Sequence, residues 1–359
     1  PHAPGSSAQT LRRPPPLGCQ HSSALACALR SNMKRLCVFA SHLLPQGSKA
    51  SSCQSSSSSD SSSGSAPRHG SARLWSALRA TSVAAEGIER FGEAEWAMRC
   101  KLAVAYRISA HYGWDQLVFN HITVKVPGSG GAPNGHYFLI NPFGLRFDEV
   151  TASSLLKVDM EGNIIDHGSA KGPLFKQGFV VHSAVHAARK DLICVWHSHH
   201  ADTTAVSMTK VGLLPLSQEA ISFQGCISYH PFEGSAVELA ERERMASSLG
   251  PINKVMLLEN HGPLTAGGSI EEAFVYMYLL TLSCTWQIKA MSAVGGDLSK
   301  MHVPTGEALE RLYQRAREGR DKNRDHVGQK NEKYNDGLEM WKAVVRMMED
   351  KHGAANIYV

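Results

Sequence analysis

Three histidines in two short segments carry the strongest chemical signature in this chain. The stretch Asp191-Leu-Ile-Cys-Val-Trp-His197-Ser-His199-His200 sets two imidazoles at i and i+2 at the end of an apolar run. On a β-strand, residues two apart project to one face, so His197 and His199 come within reach of a single cation. The second segment, Leu257-Leu-Glu259-Asn260-His261-Gly262, repeats the arrangement: an apolar strand delivers a histidine just ahead of a glycine that permits a tight turn. One such pair is weak evidence, because most histidines at this spacing are surface or hydrogen-bonded side chains; the third histidine strengthens it. Three neutral imidazoles with an open fourth position form the donor set of a catalytic zinc site, whereas structural sites fill all four places with Cys and His. No cysteine is placed to close this one. The spacing therefore points to Zn2+, or another divalent metal, held by His197, His199 and His261.

These ligands need a framework of strands backed by helices. Leu192 to His197 and Val255 to Leu258 read as short buried strands. Glu93 to His111 repeats its apolar residues at helical spacing, with Gly113 as a stop. Val118 to Val126 and Tyr137 to Asn141 alternate as strands, joined by the Gly and Pro segment Pro127 to Gly135 as a long hairpin loop. Glu161-Gly162-Asn163 is the turn of a second hairpin. Phe179 to Ala188 is helical, and Ser269 caps a long helix with Glu271 and Glu272 in its first turn, running to about Met291. No internal repeat of solenoid period is present.

The chain divides unevenly. Residues 1–85 are rich in Ser, Ala, Pro and Arg and carry a single acidic residue, Asp60, so no packed core can be built from them. They read as a disordered leader or as an organellar transit peptide, which would make the protein cytoplasmic, plastid or mitochondrial. The formal charge of +5 is concentrated there, and the body shows no basic stripe with interleaved aromatics, which argues against a nucleic acid partner. Residues 86–295 form the candidate domain; residues 296–359 are charged and read as a helical C-terminal appendage ending in an amphipathic piece around Met340 to Met348. The cysteines show no CxxC pair or regular spacing, which suits a reducing compartment. The most apolar run, Ala273 to Ile288, is interrupted by Thr281, Ser283, Thr285 and Gln287, so it reads as a buried helix and no transmembrane span is expected.

An ordered set of segments carries a resemblance: Gly113-Trp-Asp, Phe119-Asn-His-Ile-Thr-Val-Lys, Phe138-Leu-Ile-Asn-Pro-Phe-Gly144, Val181-His-Ser-Ala-Val-His-Ala-Ala-Arg-Lys-Asp191, His197-Ser-His199 and Asn260-His-Gly262. Over roughly Glu93 to Ala290 the chain resembles the class II aldolase and adducin head family, nearer the adducin-type branch. The resemblance implies an α/β fold, a three-layer α/β/α sandwich around a central, largely antiparallel sheet. It also implies zinc on His197, His199 and His261, a small-molecule substrate such as a sugar phosphate or related hydroxy ketone, and a homo-oligomer, commonly a tetramer, with sites between subunits. In such enzymes the metal polarises a carbonyl and stabilises an enediolate.

The chain also departs from that pattern. The acid/base glutamate of the aldolases falls at Gly178, and the tyrosine contributed by a neighbouring subunit aligns with Gln218, neither of which titrates. Asn120 matches a binding residue and Gly144 keeps its turn, while the expected hydroxyl pair is Lys176-Gln177; Lys176 is an anion-binding candidate or a solvated surface charge. If chemistry survives, Glu259, two residues before His261 and expected on the same strand face, is the best-placed catalytic carboxylate and Asp202 a weaker candidate for orienting a ligand imidazole. His182 and His186, four apart on one helix face, are assigned to packing. Three readings compete: a zinc-dependent aldehyde-lyase or epimerase-like enzyme on a phosphorylated or carboxylated hydroxy ketone; a non-catalytic, adducin-head-like oligomerisation module linked to actin and the cytoskeleton; and a protein whose zinc only stabilises its fold.

Overall fold

The structure is a computed structural model and describes residues 82–131, 135–234, 239–322 and 337–358. The expected leader, with its transit-peptide reading, lies almost wholly outside the described residues. In chain order come α1 (Ser82–Phe91), α2 (Glu93–Tyr112), β1 (Ile122–Lys125), β2 (Phe138–Ile140), β3 (Leu156–Val158) and β4 (Ile164–Asp166). Next are α3 (Lys176–Ala188), β5 (Cys194–His197), α4 (Ala201–Ser207), α5 (Gln218–Phe223), β6 (Ile227–His230) and α6 (Leu239–Leu249). The last elements are β7 (Val255–Leu258), β8 (Gly262–Gly267), α7 (Ile270–Ala293), α8 (Gly306–Lys322), α9 (Leu338–His352) and α10 (Ala354–Tyr358).

The strands form one sheet in the order β4-β3-β2-β1-β5-β8-β7-β6. Its neighbours are antiparallel except β6 and β7, which run parallel. The period-two alternation of strand side chains divides the core into layers. On β7, Val255 and Leu257 pack with Leu280 and Cys284 of α7. Met256 and Leu258 turn the other way, onto Val181 and Val185 of α3 and Met245 and Leu249 of α6. Helices thus cover both faces, giving the α/β/α sandwich with a mixed, largely antiparallel sheet that the resemblance implied. A larger cluster under α2, α7 and α9 contains Trp96, Trp114, Trp196 and Phe274.

The two expected hairpins are present, with Val124 opposite Leu139 in the first and Val158 opposite Ile164 in the second. In the second turn, Asp159 Oδ1 accepts from the backbone N–H groups of Glu161 (3.0 Å) and Asn163 (2.8 Å). Ser269 caps α7 as expected, its side chain accepting from Glu272 N–H at 3.1 Å. Strand β1 is shorter than the expected Val118 to Val126, because residues 116–121 form a turn in which Leu117 has φ 56° and Asn120 Oδ1 accepts from Gln116 N–H at 2.5 Å. Strand β8 had no sequence signal: Gly-Pro-Leu-Thr-Ala-Gly is buried throughout, so it lacks the alternation of a half-exposed strand and reads as a turn.

Within the segment expected as a charged appendage, α9 buries Trp341, Val344 and Met348 in the same cluster as Trp96 and Phe274. The four cysteines of the body, Cys100, Cys194, Cys226 and Cys284, are free and buried. No helix among the described residues is long and apolar enough to cross a membrane.

Candidate metal centre

His197 is the last residue of β5, on the sheet face that carries α3, and His199 lies two residues beyond it. His261 sits in the turn between β7 and β8. Two backbone features deliver it: Asn260 has φ 57° and Gly262 has φ 150°. A β-carbon on Gly262 would lie 2.5 Å from the carbonyl oxygen of Ser198, so the absent side chain lets β8 approach the His197–His199 segment. Gly113 ends α2 in the left-handed conformation and turns the chain so that the Trp114 carbonyl accepts from His199 N–H (3.3 Å) and from the Ser198 hydroxyl (2.8 Å).

The three imidazoles converge. Their ring centroids are 4.8, 4.8 and 4.9 Å apart, and one ligand atom from each lies within 4.8 Å of the others. His197 Nδ1 donates to the Pro263 carbonyl at 2.9 Å, and His199 Nδ1 donates to Gln116 Oε1 at 2.6 Å. Both partners are oxygens that only accept, so each Nδ1 carries the proton and each Nε2 presents a lone pair. The Nε2 atoms of His197 and His199 stand 2.9 Å apart. Two lone pairs at that distance repel unless a proton or a cation lies between them, and Nε2 atoms sharing a tetrahedral zinc would be about 3.3 Å apart at the usual Zn–N length. The donors present therefore fit a divalent cation.

Burial is the largest cause of lowered basicity at each ligand. It holds His197 well below the ordinary imidazole range, aided by neighbouring His261 and His199, and brings His199 down to about 4, again aided by His261. His261 is lowered by burial too. Neutral imidazoles need shed no proton to bind a metal.

The other sequence candidates lie as follows. Asn120 is fully buried, with its Nδ2 lacking a partner. Gly144 turns the chain after β2 with φ 102°. Lys176 is exposed at the first turn of α3. Glu259 lies in the β7–β8 turn, not on a strand face shared with His261; it is half-buried, its N–H donates to the His230 carbonyl at 2.9 Å, and its charge raises the His230 pKa against the dominant effect of burial. Asp202 accepts from the Thr285 hydroxyl at 2.6 Å, while the ligand imidazoles are oriented by Gln116 and the Pro263 carbonyl. Gln218 is exposed at the start of α5.

Inside α3, His182 Nδ1 (2.9 Å) and His186 Nε2 (2.8 Å) share the Thr123 hydroxyl. Sequence reasoning missed Gln116: a glutamine in a polar loop carries no periodicity or motif that would mark it. A second cluster, His230 with Glu233 and Glu241, gathers where β6 ends and α6 begins, and Glu233 is paired with Arg244.

Comparison with known proteins extends this geometry. The profile described as Class II Aldolase and Adducin N-terminal domain matches residues 100–288. A Caulobacter vibrioides protein named for aldolase class 2 is 45% identical over 210 residues, covering 58% of this chain and 77% of that one. Alpha-adducin of Mus musculus is 44% identical over 206 residues, covering 57% of this chain and 27% of that protein, so the chain spans about a quarter of the adducins it matches. The solved L-fuculose 1-phosphate aldolase of Glaciozyma antarctica superposes with a TM-score of 0.59 at 25% identity, covering 75% of this chain and 94% of that one.

Proposed function

This chain belongs to the class II aldolase and adducin N-terminal domain family, and on that premise we propose that it is a zinc-dependent aldehyde-lyase or epimerase-like enzyme. Its substrate would be a small phosphorylated or carboxylated hydroxy ketone. One observation carries the reading: the Nδ1 protons of His197 and His199 are fixed outward, so that the Nε2 lone pairs of buried His197 and half-buried His199 face each other at 2.9 Å with His261 beside them. A scaffold has no need of that arrangement. A bound divalent cation would act there as a Lewis acid, polarising a carbonyl and stabilising the negative charge that develops on its oxygen.

The chain's own residues would hold and orient the substrate. Asn120 Nδ2 is a buried donor without a partner, suited to an anionic or carbonyl oxygen. Gly144 leaves its turn open, with nothing near the position of a β-carbon, and Lys176 offers a positive charge to a phosphate or carboxylate. Glu259, two residues before His261, is the carboxylate proposed as proton acceptor. A homo-oligomer, a tetramer by family resemblance, is favoured by Leu117 and Phe119, 64% and 46% exposed on the loop that orients His199, and by Met208, 58% exposed beside the residue that anchors Asn260.

A second reading, a non-catalytic oligomerising module of the adducin-head kind with cytoskeletal partners, is favoured by Gly178 and Gln218, which cannot titrate, and by the 44% identity to alpha-adducin. Incubating the zinc-loaded chain with a panel of phosphorylated and carboxylated hydroxy ketones separates the two. Chelator-sensitive, zinc-restored release of an aldehyde, or epimerisation, supports the enzyme. Complete inertness of a zinc-replete protein supports the module.

A further inference from the structure

Gly178 lies in the first turn of α3, and a β-carbon there would overlap the imidazole of His121. The ring of one residue thus fills the space that the other's side chain would take. His121 is 1% exposed, and neither of its ring nitrogens has a partner. Two orphaned polar atoms on a fully buried side chain are costly unless something else satisfies them.

The sheet register gives His121 its neighbours. Ile122 pairs with Trp196, and His197 N–H donates to the His121 carbonyl at 3.2 Å, so His121 and His197 are opposite one another at the end of the β1–β5 ladder. Opposed residues on antiparallel strands project to the same face with β-carbons about 5 Å apart. His121 therefore stands beside the metal ligand His197. Its ring is stacked on Phe175 (centroids 5.4 Å, 15° between planes) and edged by His182 at 6.0 Å, which fixes its plane.

We propose that His121 is a substrate-contacting residue that takes the place of a side chain at position 178 and holds a substrate hydroxyl beside the metal. A neutral imidazole offers one N–H donor and one lone pair, which matches a hydroxyl that both donates and accepts. An anion would use only the donor. This assignment rests on the proposed metal-dependent function.

The test uses the full chain loaded with zinc and two chelating probes, glycolohydroxamate and acetohydroxamate, which differ by one hydroxyl. Binding is read by calorimetry and zinc by elemental analysis. The parent should bind glycolohydroxamate about five- to tenfold more tightly than acetohydroxamate, the effect of one hydrogen bond. His121→Phe keeps an aromatic ring against Phe175 and should abolish that preference with zinc content and acetohydroxamate affinity unchanged; His121→Leu should do the same if the larger ring cannot be seated. A preference that persists in these variants, an equal weakening of both probes, or a parent without any preference overturns the assignment. A parent that binds no zinc overturns the metal-dependent function itself, and the assignment with it.

Discussion

Lowering the pH should unfold this protein through its buried histidines. His121 and His186 are held neutral by burial, each down to about 3, and His182 well below the usual imidazole value, also by burial first. In the unfolded chain all three return to about 6.5. Their folded pKa values are depressed, so the unfolded state binds more protons than the native state between pH 6.5 and about 3. Stability is therefore complete above 6.5 and is lost as pH falls through this window. Each group contributes up to about 1.4 kcal/mol per pH unit, so the three together reach about 4 kcal/mol per unit. Between pH 6 and 4.5 the loss amounts to about 5 kcal/mol, comparable to the total stability of many domains. Urea unfolding of the chelator-treated protein, followed by tryptophan fluorescence at half-unit steps, measures it. A slope below about 1 kcal/mol per unit across that range would refute the reasoning, because it would mean that these imidazoles are hydrated or protonated in the native state.

Three further outcomes follow from the contacts. Gln116→Leu removes the acceptor that fixes His199 Nδ1 and should weaken zinc binding by about 10- to 100-fold without unfolding the chain, read by competition with a chromogenic chelator. Trp341→Ala opens a cavity beside Phe274, whose ring is 5.8 Å away, and should cost about 3–5 kcal/mol by urea denaturation; a cost under 1 kcal/mol would mean that α9 is not integral to the core. Glu259→Gln should abolish turnover with zinc retained if that carboxylate is the proton acceptor, and unchanged turnover would remove it from the mechanism.

The metal ligands were legible in the sequence because their signal is local. Two histidines at strand spacing, and a third followed by glycine, need only the ends of two apolar strands to be brought together. The supports of the site were not legible. Gln116 reaches His199 from 83 residues away, and the Pro263 carbonyl belongs to a strand, β8, whose Gly-Pro start and complete burial erase its alternation. Nothing in the sequence marks His121 either: that both its ring nitrogens lack partners, and that its ring takes the space a side chain at Gly178 would fill, depends on how β1 and α3 pack. Charge likewise disguised α9: its polar positions dominate the composition, and the burial of Trp341 depends on a groove formed by α2 and α7.

The central claim is that His197, His199 and His261 hold one divalent metal, and elemental analysis of the purified full chain, beside His197→Ala and His261→Ala, tests it most directly. The account predicts about one zinc per chain in the parent and its loss from each folded variant. A metal-free parent that still folds, or variants that keep the metal, would contradict it and leave the adducin-like module as the leading reading.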